Sequence, residues 1–381
     1  MNKFVKTSLI TVFCVWLGFA LFEQYRMVYH NESLHQFFHP EMYDGPFSEQ
    51  KFPCSPNRKA QYVDLVNSGY ASMKNSRVVI CGLARNCATS LEHIERRIEE
   101  TGGLFKDYRV VLFENDSDDE TRSVLSAWQK RNVKVRLIDC KIPSCKLNFL
   151  SAYAEGTLNR NRFERMADFR NRYLAYVYKH YKKFDYMITI DMDLKGPWSL
   201  DGLASSFAYP DWDGMFAYGI HTIPWSCGLL YAMYDLTAYA KVGDGIISKA
   251  DISKNYLKVN FWDYVLVKKG DPLLPVSSAF GGMGIYKIKS LKGCWYSGQT
   301  CEHVCLHHAM AEKGYGRFYI NPNLILLSGH QGPPNTLDLV VEAFKEVFFP
   351  KKTDSNMNAL GSRSHEQMTK KRLMGLALIS E

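Results

Sequence analysis

Several features typical of common protein classes are missing from this sequence. It contains no DNA- or RNA-recognition motif and no internal repeat. The glycine-containing run 280–284, FGGMG, is followed by neither Lys-Ser nor Lys-Thr, so it is not a phosphate-binding P-loop. The net charge is only +8, which fits an anionic small substrate or a membrane surface at least as well as nucleic acid. The sequence therefore disfavours a nucleic-acid partner.

The sequence also lacks the low hydrophobic content that is typical of disordered chains. Of the 381 residues 46% are hydrophobic, enough to bury a substantial core in one large domain or two modest ones. Two stretches differ from this pattern. Residues 23–75 are polar and interrupted by prolines, which indicates a stem, and residues 350–381 are predicted to form a flexible basic tail. The folded body is expected between them, over residues 76–349.

One mostly apolar, uncharged run lies near the amino terminus, from Thr7 to Phe22, after Lys3 and Lys6. As a helix it would span about 24 Å, short of the roughly 30 Å core of an average bilayer. We interpret it as a signal anchor in a thin membrane, with residues 1–6 in the cytosol. This predicts a single-pass type II protein of the Golgi or secretory pathway lumen. The alternative is a signal peptide cleaved after the GFA of residues 18–20, which would give a secreted protein.

The chain has ten cysteines, and an exported protein can oxidise them. Cys81 lies within an apolar strand and is expected to be a buried thiol. Two pairs are close enough in sequence to bridge short loops, namely Cys140 with Cys145 and Cys294 with Cys301. The sequence alone leaves the connectivity open.

Apolar runs of four to eight residues alternate with helical patterns from Arg77 to Leu194. This alternation is typical of crossover units and a parallel sheet, so the predicted fold class is α/β. Residues 76–197 would form a nucleotide-binding half. Residues 198–349 are richer in aromatic residues and glycine, and they are expected to form mixed strands, one helix from Cys301 to Lys313, and an acceptor pocket.

Polar side chains stand at the ends of several predicted strands. Arg85 follows the first strand, Glu114 ends the second, and Asp191 and Asp193 end the fourth. Ligands of open parallel sheets bind outside the carboxyl ends of the strands. We therefore expect these side chains to converge on one crevice.

Asp191 and Asp193 are two residues apart at the end of a strand, so their side chains are expected on the same face. Adjacent carboxylates repel, and a cation between them relieves the repulsion. Hard ions such as Mg²⁺ and Mn²⁺ favour oxygen ligands and are often held by one or two carboxylates plus substrate phosphates. The pair is therefore a candidate metal site, and a solvated strand end is the alternative.

The order and spacing of five short motifs resemble the GT-A glycosyltransferases, and within them the capsule-associated mannosyltransferases and related bacterial and viral enzymes. The motifs are ARN, FENDSDDETRSVLSAW, RMADFRNRYL, ITIDMDLKG and CEHVCLH. The resemblance implies transfer of a sugar from a GDP- or UDP-linked donor to a glycan or glycoconjugate acceptor. It suggests mannose as the sugar. It also implies a donor cradle of Leu83, Ala84, Arg85, Glu114 and Asp191, a phosphate partner in Arg170, and Mn²⁺ or Mg²⁺ on Asp191 and Asp193.

The same resemblance implies a catalytic carboxylate at the start of a helix, which is Glu302 here. A carboxylate there can remove the acceptor hydroxyl proton while a metal stabilises the departing diphosphate. The stereochemical outcome, inversion or retention, stays open at this stage. A rival interpretation is a zinc-dependent hydrolase, because Glu302 is followed by His303 and His307, which are four residues apart on one helix face.

The remaining candidates lie in the second half. The resemblance suggests a third metal ligand near the carboxyl terminus, and His330 is the candidate. Trp225, beside Pro224, is a candidate sugar platform, and Gly281 and Gly282 either let the backbone approach a sugar or form a bulge. A non-catalytic module that binds carbohydrate through aromatic residues is the third functional class that the sequence allows.

Overall fold

The apolar runs between residues 77 and 191 form strands, and the patterns around them form helices. The structure, a computed structural model, describes residues 11, 12, 14, 18, 45–139, 160–222, 231–244 and 267–329. The first part contains α1 (Lys59–Lys74), β1 (Arg77–Ala84), α2 (Ala88–Gly103), β2 (Asp107–Glu114), α3 (Thr121–Arg131), β3 (Val135–Asp139), α4 (Arg160–His180) and β4 (Tyr186–Asp191). The predicted alternation of strands and helices is confirmed.

Shorter and more irregular elements follow. They are α5 (Leu200–Ser206), β5 (Gly214–Thr222), β6 (Tyr231–Met233), a 3-10 helix (Leu236–Ala238), β7 (Leu274–Val276), β8 (Met283–Lys287), α6 (Ile288–Leu291), α7 (Glu302–Glu312) and β9 (Phe318–Leu327). The helix predicted from Cys301 to Lys313 is thus present with ends one residue shorter. We call residues 77–191, with β1 to β4, the parallel half, and residues 213–327, with β5 to β9, the mixed half.

All of these strands belong to one sheet with the order β3-β2-β1-β4-β8-β5-β9-β7, and β6 pairs with β5. The pairs among β1 to β4 are parallel, whereas β8 runs antiparallel to both β4 and β5. The predicted α/β class is confirmed. The chain runs from β1 outward to β2 and β3 and then returns to the other side of β1 as β4. This reversal opens a crevice at the carboxyl ends of β1 and β4, where ligands of such sheets bind.

The central strands of the parallel half, β1 and β4, are buried on both faces. In β1, Val78 and Ile80 point into one core with α2 and α3, and Val79 and Cys81 point into a second core with α4. Successive side chains of a strand alternate between faces, so a strand covered on both sides needs an unbroken apolar run. This explains why these strands read as continuous hydrophobic segments, and it holds the strand ends in fixed register.

Residues assigned to the stem from sequence include one packed helix. Gly69 of α1 faces α5 so closely that a Cβ atom there would lie 1.8 Å from the backbone oxygen of Ala204. The packed body therefore includes α1. Within the described ranges no helix is both long and apolar enough to cross a membrane. Of the proposed anchor, only residues 11, 12, 14 and 18 are among the described residues. The 350–381 tail, Trp225 and His330 lie outside them.

The chain divides into two units, Met1–Pro333 and Pro334–Glu381, and every described residue belongs to the first. Cys81 is fully buried, as predicted. Cys294 and Cys301 are separate buried thiols, so the bridge that their sequence spacing allowed is not formed. Cys140 and Cys145 lie outside the described residues.

Candidate functional site

The strand register brings the predicted strand-end residues together. Ala84 of β1 is paired with Glu114 of β2, and on the other side of β1 Leu83 is paired with Asp191 of β4. Neighbouring strands lie about 4.8 Å apart, so these residues line one edge of the sheet within a short distance. The apolar cores on both faces fix this arrangement before any polar contact is considered.

Glu114 is completely buried and binds the backbone of the loop that follows β2. Its Oε1 accepts a hydrogen bond of 2.7 Å from the backbone N–H of Ser117, and its Oε2 accepts from Nε of Arg122 at 2.9 Å. The Arg122 guanidinium also lies 3.3 Å from Asp139 at the end of β3. Both carboxylate oxygens of Glu114 are therefore engaged within the chain, and its role toward a ribose or base stays a prediction.

The loops after β1 and β2 are tied to each other. The side-chain oxygen of Asn86 accepts from the backbone N–H of Asp118 at 2.8 Å, and the Asn86 N–H donates to Oγ of Ser117. Arg85 forms a 3.7 Å ion pair with the exposed Asp118. Asn86 and Asp116 both have φ of +48°, a left-handed conformation that costs energy outside glycine and that concentrates at functional sites.

Asp191 is held at the end of β4 by three groups. Its N–H donates to the carbonyl of Gly282 at 3.1 Å, and its Oδ2 accepts from the Tyr234 hydroxyl at 2.9 Å. Its Oδ1 faces Nη2 of Arg170 at 3.8 Å. Burial, together with the negative charge of nearby Asp193, raises the pKa of Asp191 to about 8. Additional positive charge beside Asp191 would favour its ionised form.

Arg170 of α4 joins the two predicted acidic groups. Its Nε donates to Oε1 of Glu302 at 3.0 Å, while Nη2 faces Asp191. Its guanidinium carbon lies 5.3 Å from the centre of the Phe280 ring and 5.9 Å from that of Tyr296. The side chain is only 4% exposed. The structure therefore places Arg170 between the metal candidate and the base candidate, and its contact with a donor phosphate stays a prediction.

Glu302 is the first residue of α7 and is buried. The positive end of a helix dipole favours a carboxylate at this position. Oε1 accepts from Arg170, and Oε2 lies 3.9 Å from the thiol of Cys301, a weak contact. Oε2 is thus the oxygen with capacity to accept a proton.

Tyr234 and Asp235 are site residues that sequence reasoning missed. Asp235 has φ of +62°, and its Oδ1 accepts from the Thr237 hydroxyl at 2.9 Å. Burial raises the pKa of Asp235 to about 6, and the charge of Glu302 contributes to the shift. The only sequence signal was an aspartate followed two residues later by threonine, a common turn pattern. It gave no indication that the turn lies beside Arg170.

The zinc interpretation meets an obstacle at His307. Its Nδ1 lies 2.7 Å from Oγ of Ser278, and its Nε2 lies 3.0 Å from the Tyr286 hydroxyl. Because the single Ser278 proton goes to the carbonyl of Ala238, Nδ1 of His307 must donate and Nε2 must accept from Tyr286. Burial lowers the pKa of His307 to about 3, consistent with this neutral form. Neither nitrogen is left for a metal.

His303 is also buried, stacked on the Phe280 ring with 3.9 Å between ring centres. Among the residues that the structure describes, no three or more His, Cys, Asp or Glu side chains are grouped so as to hold a metal ion. The Asp191 and Asp193 candidate needs only two carboxylates, with substrate phosphates as further ligands. The residues present fit a divalent cation, because Asp191 and Asp193 supply carboxylate oxygens, and the Asp191 side chain is 18% exposed at the strand end.

Gly281 and Gly282 lie in a backbone conformation, and Gly281 lies so close to a neighbouring strand, that only glycine fits well there. They have φ of +61° and +85°, and a Cβ atom on Gly281 would lie 2.2 Å from the backbone oxygen of Ala217 in β5. The two glycines form a turn directly before β8, and the backbone that Gly281 approaches is that of the neighbouring strand. The Gly282 carbonyl accepts from the N–H of Asp191, and contact of either glycine with a sugar stays a prediction.

No family model and no curated protein matches the chain. Among solved structures it is similar to the mannosyltransferase PcManGT from Pyrobaculum calidifontis in complex with GDP-Man and Mn²⁺, with a TM-score of 0.40 and 13% identity over 74% of this chain and 68% of that one. It is also similar to S. aureus TarS 1-349 in complex with UDP, with a TM-score of 0.37 and 8% identity over 66% of this chain and 60% of that one. It is also similar to a mycobacterial protein, with a TM-score of 0.39 and 12% identity over 71% of this chain and 72% of that one. Likeness at this level carries no argument about activity or substrate.

Proposed function

We propose that this protein is a metal-dependent glycosyltransferase that moves a sugar from a nucleotide-sugar donor to a glycan or glycoconjugate acceptor. One observation supports this most directly. Arg170 links Asp191, at the carboxyl edge of the parallel half, to Glu302, at the start of a helix in the mixed half. The proposed donor-side acidic group and the proposed acceptor-side base therefore flank one guanidinium, and a transfer between two substrates requires such proximity.

The proposed roles follow from the charges. Asp191 and Asp193 would hold Mn²⁺ or Mg²⁺ together with the donor diphosphate, and Tyr234 would orient Asp191 through its hydroxyl. When bound, the cation supplies positive charge to the departing diphosphate. Leu83, Ala84, Arg85 and Glu114 are proposed to line the nucleotide cradle at the adjacent strand ends, and His330, Trp225 and the backbone at Gly281 and Gly282 remain proposed metal and sugar contacts.

Glu302 is the proposed general base. Its Oε2 would take the proton of the acceptor hydroxyl while that oxygen bonds to the anomeric carbon of the donor sugar and the bond from that carbon to the phosphate oxygen breaks. The electron pair leaves with the nucleoside diphosphate. Arg170 fixes Oε1, so the carboxylate presents Oε2 in one orientation. A base on the face opposite the leaving group would invert the sugar carbon.

Two finer points rest on sequence alone. Mannose from GDP-mannose is the donor that the motif resemblance suggests. The apolar run from Thr7 to Phe22 suggests a membrane anchor that places the catalytic body in the lumen of the Golgi or another secretory compartment, with secretion after cleavage as the alternative.

Binding of nucleotides by the full-length protein tests the proposal. At a ligand concentration roughly 100 times Kd, Mn²⁺ with GDP or with UDP should raise the melting temperature by about 5 °C, and the nucleotide without Mn²⁺ should raise it much less. The double variant Asp191→Asn/Asp193→Asn should lose this shift, and the release of nucleoside diphosphate from sugar donors should fall at least about 100-fold.

Asp168→Asn is the matched control, because Asp168 is an exposed aspartate on the surface of α4. It should keep both the melting shift and the turnover. Full activity in the double aspartate variant, or no effect of Mn²⁺ on binding of any nucleotide by the natural protein, would refute the metal-dependent transferase.

A further inference from the structure

One buried guanidinium serves two carboxylates from opposite halves of the sheet. Arg170 is 3.0 Å from Glu302 and 3.8 Å from Asp191, measured from Nε and Nη2. The contact with Glu302 is a well-formed hydrogen bond, whereas 3.8 Å is an ion pair without one. The single positive charge is therefore divided unequally, and Glu302 has the larger share.

The surroundings of Arg170 make this division sensitive. Its neighbours are the rings of Phe280 and Tyr296 and the hydroxyl of Tyr173, which lies 3.4 Å from Nη1. Charge interactions are strong where water is excluded, and an arginine that loses one buried anion is driven to another. Because different nitrogens of one guanidinium face the two carboxylates, a movement that strengthens the contact with Asp191 weakens the contact with Glu302.

We propose that Arg170 is a positioning residue that couples the donor side of the site to the acceptor side, because Glu302 holds it back from Asp191 and so keeps Asp191 available for a divalent cation. This inference rests on the proposed function and specifies how its two carboxylates depend on each other. Without the charge of Glu302, Arg170 closes on Asp191 and competes with the cation for the same oxygen.

The coupling works in both directions, as thermodynamic linkage requires. Positive charge bound at Asp191 repels Arg170 toward Glu302. The Nε bond to Oε1 then tightens, and Oε2 is held in place for the acceptor proton. The base is thus fully oriented when the donor side is loaded, which limits transfer of the proton in its absence.

Calorimetric titration of the full-length protein with Mn²⁺ alone, with Mn²⁺ and GDP, and with Mn²⁺ and UDP tests this coupling without any measurement of turnover. Glu302→Gln keeps the shape of the side chain and the oxygen that accepts from Nε but removes the charge. We expect this variant to bind Mn²⁺, alone or with nucleotide, about tenfold more weakly than the natural protein.

Asp235→Asn is the matched control for the general field of negative charge. Asp235 interacts electrostatically with Arg170 and Glu302, and its Oδ1 accepts a hydrogen bond from the Thr237 hydroxyl. Its replacement should weaken Mn²⁺ binding by less than about threefold. Equal losses in Glu302→Gln and Asp235→Asn would mean that the field alone acts, and would overturn the proposed coupling.

The double variant Arg170→Gln/Glu302→Gln separates competition from direct phosphate binding. It removes one charge of each sign, so it avoids the unpaired buried carboxylates that Arg170→Gln alone would leave. We expect it to bind Mn²⁺ with GDP or UDP at least threefold more tightly than Glu302→Gln, because the competitor for Asp191 is gone. Weaker binding than in Glu302→Gln would assign Arg170 to the diphosphate and overturn the inference.

These outcomes are distinct from failure of the proposed function. If the natural protein binds neither Mn²⁺ nor Mn²⁺ with either nucleotide, both the function and the coupling are wrong. If the natural protein binds and Glu302→Gln binds equally well, the metal-dependent site stands and only the coupling is wrong.

Discussion

The parallel half and the mixed half are stabilised in different ways. In the parallel half, β1 and β4 are covered by apolar side chains on both faces, with helices on each side. The mixed half contains backbone contacts that only glycine allows, together with buried polar groups such as Asp213 and His307. The proposed site lies where the two meet, at the antiparallel pairing of β4 with β8. Apolar burial tolerates small changes of shape, whereas close backbone contact does not.

A glycine substitution in each half should give the largest contrast. Gly281→Ala would place a Cβ atom 2.2 Å from the Ala217 oxygen at a φ of +61°, so we expect a loss of about 3 kcal/mol or more from steric overlap and backbone strain. Gly103→Ala, at the last position of α2, meets no atom within 4 Å and should be neutral or up to about 1 kcal/mol more stable. Urea denaturation measures both. Equal stability of the two variants would remove the contrast between the halves.

Buried ionic groups provide the second contrast. Asp213, at the start of the mixed half, is fully buried and accepts from Nε and the backbone N–H of Arg317 and from the Ser290 hydroxyl. Asp107 in β2 pairs with Arg109 but is 31% exposed. We expect Asp213→Asn to cost about 2 kcal/mol and Asp107→Asn less than about 1 kcal/mol.

The pH dependence of the Asp213 effect has a definite sign. Burial alone would raise the pKa of Asp213, but the hydrogen bonds from Arg317 and Ser290 outweigh it and lower that pKa below the usual value. A folded pKa below the unfolded one contributes stability above about pH 4 and loses it as the pH falls through the folded pKa. The difference between the natural protein and Asp213→Asn should therefore shrink between neutral pH and about pH 3. A constant difference would show that the charge of Asp213 is not responsible.

The same contrast explains what the sequence could predict. The apolar periodicity of β1, β2 and β4 is a local property, so the parallel sheet, its crevice and the positions of Glu114 and Asp191 followed from it. The contacts of Arg170 with Glu302, 132 residues later in the chain, and of Asp191 with Tyr234 arise only from packing between the halves. Left-handed Asp235 likewise has its position set by tertiary contacts. Periodicity carries no information about such pairings, and motif resemblance alone indicated Glu302 and Arg170.

The smallest expected effect concerns the polar chain beneath the site. The Tyr286 hydroxyl donates to His307, His307 donates to Ser278, and Ser278 donates to the carbonyl of Ala238, in the 3-10 helix that follows Asp235. Ser278→Ala leaves Nδ1–H of His307 and the Ala238 carbonyl without these partners, so we expect a loss of about 1 to 2 kcal/mol in urea denaturation. Ser123→Ala, on the exposed face of α3 in the parallel half, should change stability by less than about 0.5 kcal/mol.

Titration with Mn²⁺ shows whether this chain of hydrogen bonds also supports the proposed site. The hydrogen bond from Ser278 to Ala238 holds the 3-10 helix next to Asp235. We therefore expect Ser278→Ala to weaken Mn²⁺ binding about twofold, while Ser123→Ala leaves Mn²⁺ binding unchanged. If Ser278→Ala instead released a stoichiometric zinc ion that the natural protein carries, His307 would be a metal ligand and the tautomer deduced from its two hydrogen bonds would be wrong. A loss of stability without any change in Mn²⁺ binding would confine the polar chain to holding the mixed half together, since the turn at Asp235 would then be fixed by its own Thr237 contact.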